Sequence, residues 1–333
     1  MNTREHETVK TRGSADVSYL GRTVDEMIWE FMEQEEIPGL TLAIVQAPYI
    51  PRVVGYGLSD PKQRRLASAN TLWPAGPISQ AFAAVAVMQL HEDGKLQMDD
   101  KASQFIPQLP ETWQEITILQ LLRHASGLSD YRASEGFDLF RQWSFQNLVD
   151  LVAEEPLQFV PGSSVIQSAT NFLLLTEVVE RVSGKSYHDF VTERQIEYLG
   201  LRHTGFCEDL KDFTYEDISL TENIHQLFKK DGTYIDPTEP AASYDEQGEL
   251  VPRIPSSALR GFSDVWASAM DISILNKTGC FGASCIGSVI AKPRKIKHSP
   301  FQKILYAPFV GRPMSTLLFV FNTLLLFQRT SLF

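Results

Sequence analysis

The chain contains 333 residues, of which 43% are hydrophobic, and its formal net charge is −11. These values predict an ordinary soluble globular protein with ample core, and the acidic balance argues against a nucleic-acid partner. The three cysteines, Cys207, Cys280 and Cys285, form neither a disulfide framework nor a metal-ligand spacing, so we expect no metal and no cofactor.

The two ends of the chain differ in character from the rest. Residues 1–20 are charged and polar and contain no apolar run, so they predict a flexible arm, no secretory signal and a cytoplasmic location. All 41 acidic residues lie at or before Asp271, whereas residues 272–333 carry Lys and Arg but no acid. We therefore expect a boundary near residue 271, followed by an anomalous basic tail.

A helix and two strands are the first predicted elements. Thr23 and Glu26 form a capping-box pattern at the start of an amphipathic helix, which Pro38-Gly39 ends. Two runs that are typical of strands follow, Leu40–Gln46 and Arg52–Gly57.

The stretch from Thr71 to Asp100 predicts a buried helix around which the other elements pack. From Ala81 to Met88 it is apolar on every side, which is typical of a helix without a solvent face. Gly94 comes just after the last turn, where a glycine commonly ends a helix. The first turn reads Gly76-Pro77-Ile78-Ser79-Gln80 and is the first candidate functional segment.

A histidine lies near the end of the next predicted helix. His124 belongs to the stretch ITILQLLRHASGL, residues 116–128. Its position just before Gly127 predicts that it fixes the turn after the helix, and we prefer this role to that of a catalytic base.

A second polar stretch, FVPGSSVIQSATNF at residues 159–172, lies directly before a predicted helix. That helix spans Leu173–Val182, and Glu177 and Arg181 are expected to pair on its outward face. Further along the chain, Ser268 is the expected cap of a short helix.

These stretches together resemble the class C serine β-lactamases, their esterase relatives and the DD-peptidases. The family reads roughly G-S-x-S-K-x-F where this chain has Gly76–Phe82, and I-T-I-x-x-L-L-x-H-x-S-G-L where it has residues 116–128. The resemblance covers about residues 23–275. It implies a β-lactamase/transpeptidase-like fold, α/β plus all-α, in which helices flank an antiparallel sheet and a large helical subdomain is present.

Five segments are expected along the chain. They are a flexible arm (1–20), the N-terminal helix and first strands of the α/β part (21–60), a helical subdomain with the cleft (61–255), a return to the α/β part (256–275) and the basic tail (276–333).

The basic tail does not resemble the family's final strands. Lys277-Thr278-Gly279 repeats the letters of the family's third motif, but at a place where the family is helical, so we interpret the match as a coincidence. We therefore expect an incomplete sheet in which Leu40–Gly57 is a lone hairpin with open edges, less well ordered than the helical part.

The resemblance places the family's reactive groups on residues that cannot perform the same chemistry. The nucleophilic serine falls on Pro77, the lysine on Gln80, and the tyrosine and asparagine of Y-x-N on Gln167 and Ala169. Acyl transfer needs an activated hydroxyl and a desolvated amine that takes its proton. Pro77 has no hydroxyl, Gln80 cannot titrate and Gln167 is not a phenol, so we expect a catalytically inactive relative.

Two nearby serines are the alternative nucleophiles. Ser79 lies about 200° round the helix from Pro77 and has no lysine three positions later. Ser168 lies nearer the expected cleft but has no evident base, so a polar contact or helix cap is the simpler role. The residues expected to line the cleft are Gly76, Ser79, Ser168 and Asn171.

Three functions remain open on the sequence alone. The first is an inactive family member whose cleft binds a small molecule, a peptide or a partner protein. The second is a working hydrolase of the esterase, β-lactamase or D-aminopeptidase type that uses non-standard residues. The third is an interaction protein tethered to a membrane through the apolar run 314–327.

The run 314–327 is shorter than the roughly 20 residues that a membrane-spanning helix needs. A buried strand or helix, or sequence from a shifted reading frame, is therefore the better interpretation. The sequence leaves the oligomeric state open.

Overall fold

A computed structural model of the chain describes residues 18–19, 22–46, 49–62, 64–210, 240–245, 247–278, 317–320 and 323–327. The strands in these ranges are β1 (Ser18–Tyr19), β2 (Arg22–Thr23), β3 (Gly39–Gln46), β4 (Tyr49–Asp60), β5 (Arg65–Leu66), β6 (Trp73–Pro74), β7 (Thr204–Phe206), β8 (Val265–Ala267), β9 (Leu317–Val320) and β10 (Thr323–Phe327). The α-helices are α1 (Val24–Gln34), α2 (Ser79–Glu92), α3 (Ala102–Phe105), α4 (Ile118–Leu122), α5 (Phe145–Asp150), α6 (Ala169–Ser183), α7 (Tyr187–Val191) and α8 (Ala269–Thr278).

The largest sheet has five antiparallel strands in the order β5-β4-β3-β10-β9. In its central strand, Leu42 is paired with Val54 of β4 on one side and with Leu325 of β10 on the other. The expectation that Leu40–Gly57 is a lone hairpin is therefore wrong, because the end of the chain supplies two further strands.

The apolar run 314–327 contains β9 and β10 instead of a helix. Among the residues that the structure describes, no helix is both long enough and apolar enough to cross a membrane. Apart from β9 and β10, the predicted basic tail lies outside the described residues from residue 279 on. The central part of residues 207–250, a polar and acidic stretch of the sequence, also lies outside them. So does the predicted arm, apart from the two residues of β1.

Helix α1 packs on the five-stranded sheet. Its predicted capping box is confirmed, since Thr23 Oγ1 accepts from Glu26 N–H at 3.2 Å and Glu26 Oε2 accepts from Thr23 N–H at 2.8 Å. Ile28 and Met32 point inward and share a small apolar cluster with four sheet residues. Those residues are Leu40, Leu42, Val54 and Tyr56.

Helix α2 is central to the helical part, as its composition predicts. Phe82, Ala86 and Leu90 are completely buried, and the helix packs against α6 and α7. The helix ends at Glu92, just before Gly94. The helix is not buried on every side. One face is only half-buried, and it consists of Ala81, Ala84, Val85, Met88 and Gln89.

Helix α6 begins at Ala169, four residues before the predicted start, and packs against α2 and α4. Glu177 on this helix was expected to face outward, and that expectation is wrong because its side chain is only 9% exposed. Arg181 pairs with it at 2.8 Å from the same helix, and Arg260 approaches it at 3.8 Å from a distant turn. The second cation explains why a carboxylate is tolerated at a nearly buried position.

A second sheet joins distant parts of the chain in the order β6-β8-β7. Strand β8 pairs with both neighbours, Trp73 of β6 and Thr204 of β7 both lying opposite Ala267. Helix α8 follows directly, and its predicted cap is confirmed because Ser268 Oγ accepts from Asp271 N–H at 3.1 Å. The helix continues past residues 271 and 275, near which the sequence predicts boundaries. It also includes Lys277 and Thr278, which are helical as expected.

Candidate functional site

The first segment of the candidate site is the turn that leads into α2. Gly76–Ile78 form a 3-10 turn, and Gly76 has a φ of 56°, a left-handed value that favours glycine. Pro77 is exposed at the surface, and its fixed φ and missing N–H suit the first turn of a helix. Pro77, where the sequence resemblance places the family's nucleophile, is therefore accessible, but it carries neither a hydroxyl nor a hydrogen-bond donor.

Ser79 is the first residue of α2 and is completely buried. Its Oγ accepts a hydrogen bond from Val265 N–H at 3.0 Å, and Ala75 N–H donates to Val265 O at 2.9 Å. The hydroxyl of Ser79 thus joins the start of α2 to β8 and does not face solvent.

Gln80, where the sequence resemblance places the family's lysine, is 2% exposed. Its Oε1 lies 2.9 Å from Nε2 of His124. The other amide atom, Nε2, is buried and has no hydrogen-bond partner among the described residues. An amide does not titrate at neutral pH, so the side chain at this position is a neutral hydrogen-bonding group.

His124 connects the two segments of the candidate site. Its Nδ1 accepts from the backbone N–H of Ser168 at 3.3 Å and lies 3.0 Å from Nδ2 of Asn171. Because a backbone amide can only donate, Nδ1 carries no proton and the ring proton is on Nε2. This proton is donated to Oε1 of Gln80, which fixes the orientation of that amide as well.

The ring of His124 is neutral. Burial lowers its pKa to about 4, while Asp130 raises this pKa and Arg132 lowers it. The sequence predicts a turn before Gly127, and the structure shows that His124 has a left-handed φ of 53° in it. The side chain does more than fix that turn, because it joins α2 to α6.

The second segment of the candidate site begins at Gln167, which is exposed and on which the sequence resemblance places the family's tyrosine. Ser168 is 1% exposed, and its Oγ lies within 3.2 Å of the carbonyl oxygen of Ser129, to which it donates. Ala169 donates its N–H to Oδ2 of Asp130 at 3.2 Å. Asp130 therefore caps the start of α6, and the hydroxyl of Ser168 is committed to the backbone.

Asn171 completes a buried polar chain. Its Oδ1 accepts from Ser126 Oγ at 2.5 Å, and Ser126 Oγ accepts in turn from Leu128 N–H at 3.1 Å. The chain therefore runs from Ser126 through Asn171 and His124 to Gln80. All four side chains are uncharged and buried, which is the arrangement of a structural clamp between helices.

The chemistry available to this arrangement is limited. Neither Ser79 Oγ nor Ser168 Oγ is hydrogen-bonded to a titratable side chain in the part of the chain that the structure describes. The same ranges contain no cluster of three or more His, Cys, Asp and Glu side chains that would hold a metal ion. The exposed groups of the two segments, Pro77 and Gln167, can make contacts but cannot exchange protons.

The residues predicted to line the cleft are all buried, namely Gly76, Ser79, Ser168 and Asn171. The exposed residues are their neighbours Pro77 and Gln167. Sequence reasoning missed the contact of His124 with Gln80 and Asn171. The visible signal was a histidine at a predicted turn, but no spacing rule connects it to residues 44 and 47 positions away.

Comparisons with known proteins bear on the family and the fold. The family model described as Beta-lactamase matches residues 24–248. Protein flp of Staphylococcus aureus is 26% identical over 187 residues, which cover 55% of this chain and 38% of flp. Penicillin-binding protein 4* of Bacillus subtilis is 32% identical over 144 residues, which cover 41% of this chain and 31% of that protein.

Two solved structures share the fold. The octameric penicillin-binding protein homologue from Pyrococcus abyssi has a TM-score of 0.58 and 21% identity, over 80% of this chain and 57% of its own. The D-alanine carboxypeptidase AmpC from Burkholderia cenocepacia has a TM-score of 0.58 and 19% identity, over 77% of this chain and 63% of its own. This chain spans less than two thirds of each of these four relatives.

The two structural likenesses establish a β-lactamase/transpeptidase-like fold, with antiparallel sheets that do not close and a large helical part. The match over residues 24–248 covers more than half of the 333 residues, and the chain therefore belongs to the Beta-lactamase family.

Proposed function

We propose that this chain has kept the scaffold of its family without acyl-serine catalysis, and that it acts by binding a small molecule or a peptide at the candidate site. The observation that carries the proposal is the state of Gln80. It holds the lysine position, it is buried, and it is hydrogen-bonded to a neutral His124. A site without a base there has no route for the proton that a serine nucleophile must lose.

The two substitute serines add support. Ser79 Oγ is an acceptor for a backbone N–H and is sealed from solvent. Ser168 Oγ donates to a backbone carbonyl, so its proton already has an acceptor that cannot take it up. Attack by either oxygen would first require breaking a buried contact, which costs about 1–3 kcal/mol for the group left unpaired.

A binding role is favoured by what remains exposed. Gln167 presents an amide next to Ile166 and Val165, whose side chains are 49% and 61% exposed. The loop that carries them is held by backbone hydrogen bonds, including Ile166 N–H to His124 O at 3.0 Å. A rigid surface with apolar groups and a few polar ones suits a ligand with both apolar and carbonyl groups.

Covalent labelling is the test of the catalytic part. The purified chain is incubated with a fluorescent penicillin and a fluorophosphonate, and nitrocefin and p-nitrophenyl acetate turnover is measured alongside. We expect no label and no turnover above buffer, with a working penicillin-binding protein as positive control. A labelled peptide containing Ser79 or Ser168, lost in the Ser→Ala variant of that residue, would establish the active-hydrolase alternative instead.

The binding part is tested separately by thermal stability. A ligand that binds only the folded chain stabilises it by RT ln(1 + [L]/Kd), so about 100 Kd of ligand adds roughly 2.7 kcal/mol. We expect a cephalosporin, an ester or a short peptide to raise Tm, and the variant Gln167→Ala to reduce the rise. The matched control is Ser164→Ala, which changes an exposed residue of the same loop. Unchanged Tm with all three compounds would contradict the binding role.

A further inference from the structure

The ring of His124 is the place where the first turns of α2 and α6 meet. It is 3% exposed, and each of its nitrogens is hydrogen-bonded to a different segment. Nε2 faces Gln80 at 2.9 Å, and Nδ1 faces Ser168 N–H at 3.3 Å and Asn171 Nδ2 at 3.0 Å. The carbonyl of the same residue accepts from Ile166 N–H at 3.0 Å, so His124 holds the chain on both sides of Gln167.

This arrangement accepts only the neutral ring. A proton added to Nδ1 would point at two donors, the backbone N–H of Ser168 and the amide group of Asn171. The amide of Asn171 can rotate, although its oxygen would then leave Ser126 Oγ. The N–H of Ser168 cannot reverse its role, so a protonated ring requires Ser168 to move away.

The groups around the ring are neutral on both helices. Gln80 faces it from α2, and Asn171 and Phe172 face it from α6, the ring of Phe172 at 5.1 Å. The charged side chains that act on it are Asp130, which favours the protonated ring, and Arg132, which opposes it. These two are ion-paired with each other at 2.5 Å, so their effects offset one another.

We propose that His124 is an acid-sensitive latch, which on protonation releases Ile166–Ser168 and the start of α6 from α2 while the rest of the helical part stays folded. The released segment carries Gln167 and the exposed Ile166, so the surface of the candidate site changes shape when the latch opens. Burial lowers the pKa of His124 to about 4, so the closed arrangement loses stability relative to the released one as pH falls from 6.5 towards 4. The latch does not depend on the proposed binding role, since it follows from hydrogen bonds within the chain.

Site-resolved amide exchange tests the latch in the wild-type chain. The reporters are the N–H groups of Ile166 and Ser168, both bonded to His124. The control is the N–H of Gly184 at the far end of α6, bonded to Glu180 O at 2.8 Å. Between pH 6.5 and pH 4 we expect the protection factors of the reporters to fall about 100-fold more than that of the control, as a tenfold change per pKa unit implies.

A variant and a spectroscopic readout complete the test. Asn tolerates the left-handed backbone of position 124 and does not titrate, so in His124→Asn the reporters should exchange with no specific pH dependence. If this variant fails to fold, the ring-nitrogen chemical shifts of wild-type His124 still report its tautomer and its titration. Reporter protection that stays constant down to pH 4, or that falls in step with Gly184, would overturn the proposal. So would a ring that is protonated on Nδ1 at pH 7.

Discussion

The hydroxyl of Ser79 accepts a hydrogen bond from the backbone N–H of Val265 at 3.0 Å, across 186 residues of sequence. Both groups are buried, and the contact joins the first turn of α2 to β8, the central strand of the three-stranded sheet β6-β8-β7. A serine that follows the nucleophile position by two residues therefore holds two parts of the fold together. This buried contact gives the Ser79 hydroxyl a structural role.

Replacing Ser79 by alanine tests that role. The change leaves the N–H of Val265 without its acceptor in a buried place, so we expect the free energy of unfolding to fall by about 1–3 kcal/mol. Urea denaturation measures this, with Ser164→Ala, an exposed position, as the control that should change stability by less than about 0.5 kcal/mol. Equal stability of the two variants would mean that the contact with Val265 contributes nothing.

The stability of the chain should depend on pH through His124. The folded pKa of about 4 lies below the ordinary value of 6.5, so the unfolded chain binds more protons between these values. The contribution is therefore fully present above pH 6.5 and is lost as pH falls towards 4, by about 3 kcal/mol in total. The measurement is urea denaturation at several pH values between 7 and 4 for the wild type and for His124→Asn. We expect the steeper decline in the wild type, and parallel declines would count against this assignment.

The amide of Gln80 provides a way to change the pKa of His124. In Gln80→Glu a carboxylate of the same length would accept from Nε2–H, and an opposite charge at this distance should raise the pKa of His124 by about 1–3. The titration is followed by NMR of the ring protons. Gln80→Met is the matched control, because a thioether brings no charge and should leave the pKa low. A pKa that is the same in all three chains would show that Gln80 does not contact the ring in solution.

Gly261, which packs against α6, should not tolerate a side chain. Gly261 has a φ of 68°, and a Cβ there would overlap Cγ2 of Thr176 and lie 3.1 Å from Phe172 O. We expect Gly261→Ala to cost about 3 kcal/mol or more, since backbone strain of roughly 1–2 kcal/mol adds to the overlap. Gly184→Ala is the control, because Gly184 has a φ of 73° with no atom near the added Cβ, and strain alone should apply. Equal losses in thermal stability would remove the packing argument.

The end of the chain should protect the middle of the large sheet. Leu40–Ile44 of β3 pair with β10 as well as with β4. A chain that ends at residue 316 would lose β9 and β10, and the amides of β3 that face β10 should exchange faster, with aggregation at the new sheet edge. Amide exchange and light scattering measure both effects, with the amides of α2 as internal control. Unchanged exchange in β3 would mean that the pairing with β10 does not form in solution.

Local patterns predicted the elements whose contacts are also local. The capping box of α1 and the cap at Ser268 need only residues three positions apart, and both are confirmed. The burial of α2 follows from its composition, because a helix without charges in its middle has no reason to face water. The fold class could also be predicted, because several long sequence motifs resemble the same family.

Contacts between distant residues were not predictable in this way. The pairing of β10 with β3 joins residues about 280 positions apart, and an apolar run shows no preference for one partner strand over another. From the sequence we expect the Glu177 side chain to face solvent, because Arg181 lies one turn away. In the structure this side chain is nearly buried, and Arg260 lies near it as a second cation. At the site, the identities of Pro77, Gln80 and Gln167 were visible in the sequence, whereas the hydrogen bonds of Gln80 depend on the tertiary fold.

Strand β8 also determines when the three-stranded sheet β6-β8-β7 can form during synthesis of the chain. Trp73 and Thr204 both pair with Ala267, so β6 and β7 must wait until β8 has left the ribosome. At roughly 5–20 residues per second, translation from residue 73 to residue 267 takes on the order of 10–40 s. During this interval the surface of β6 and β7 that β8 later covers stays unpaired on the nascent chain, where it is open to wrong contacts.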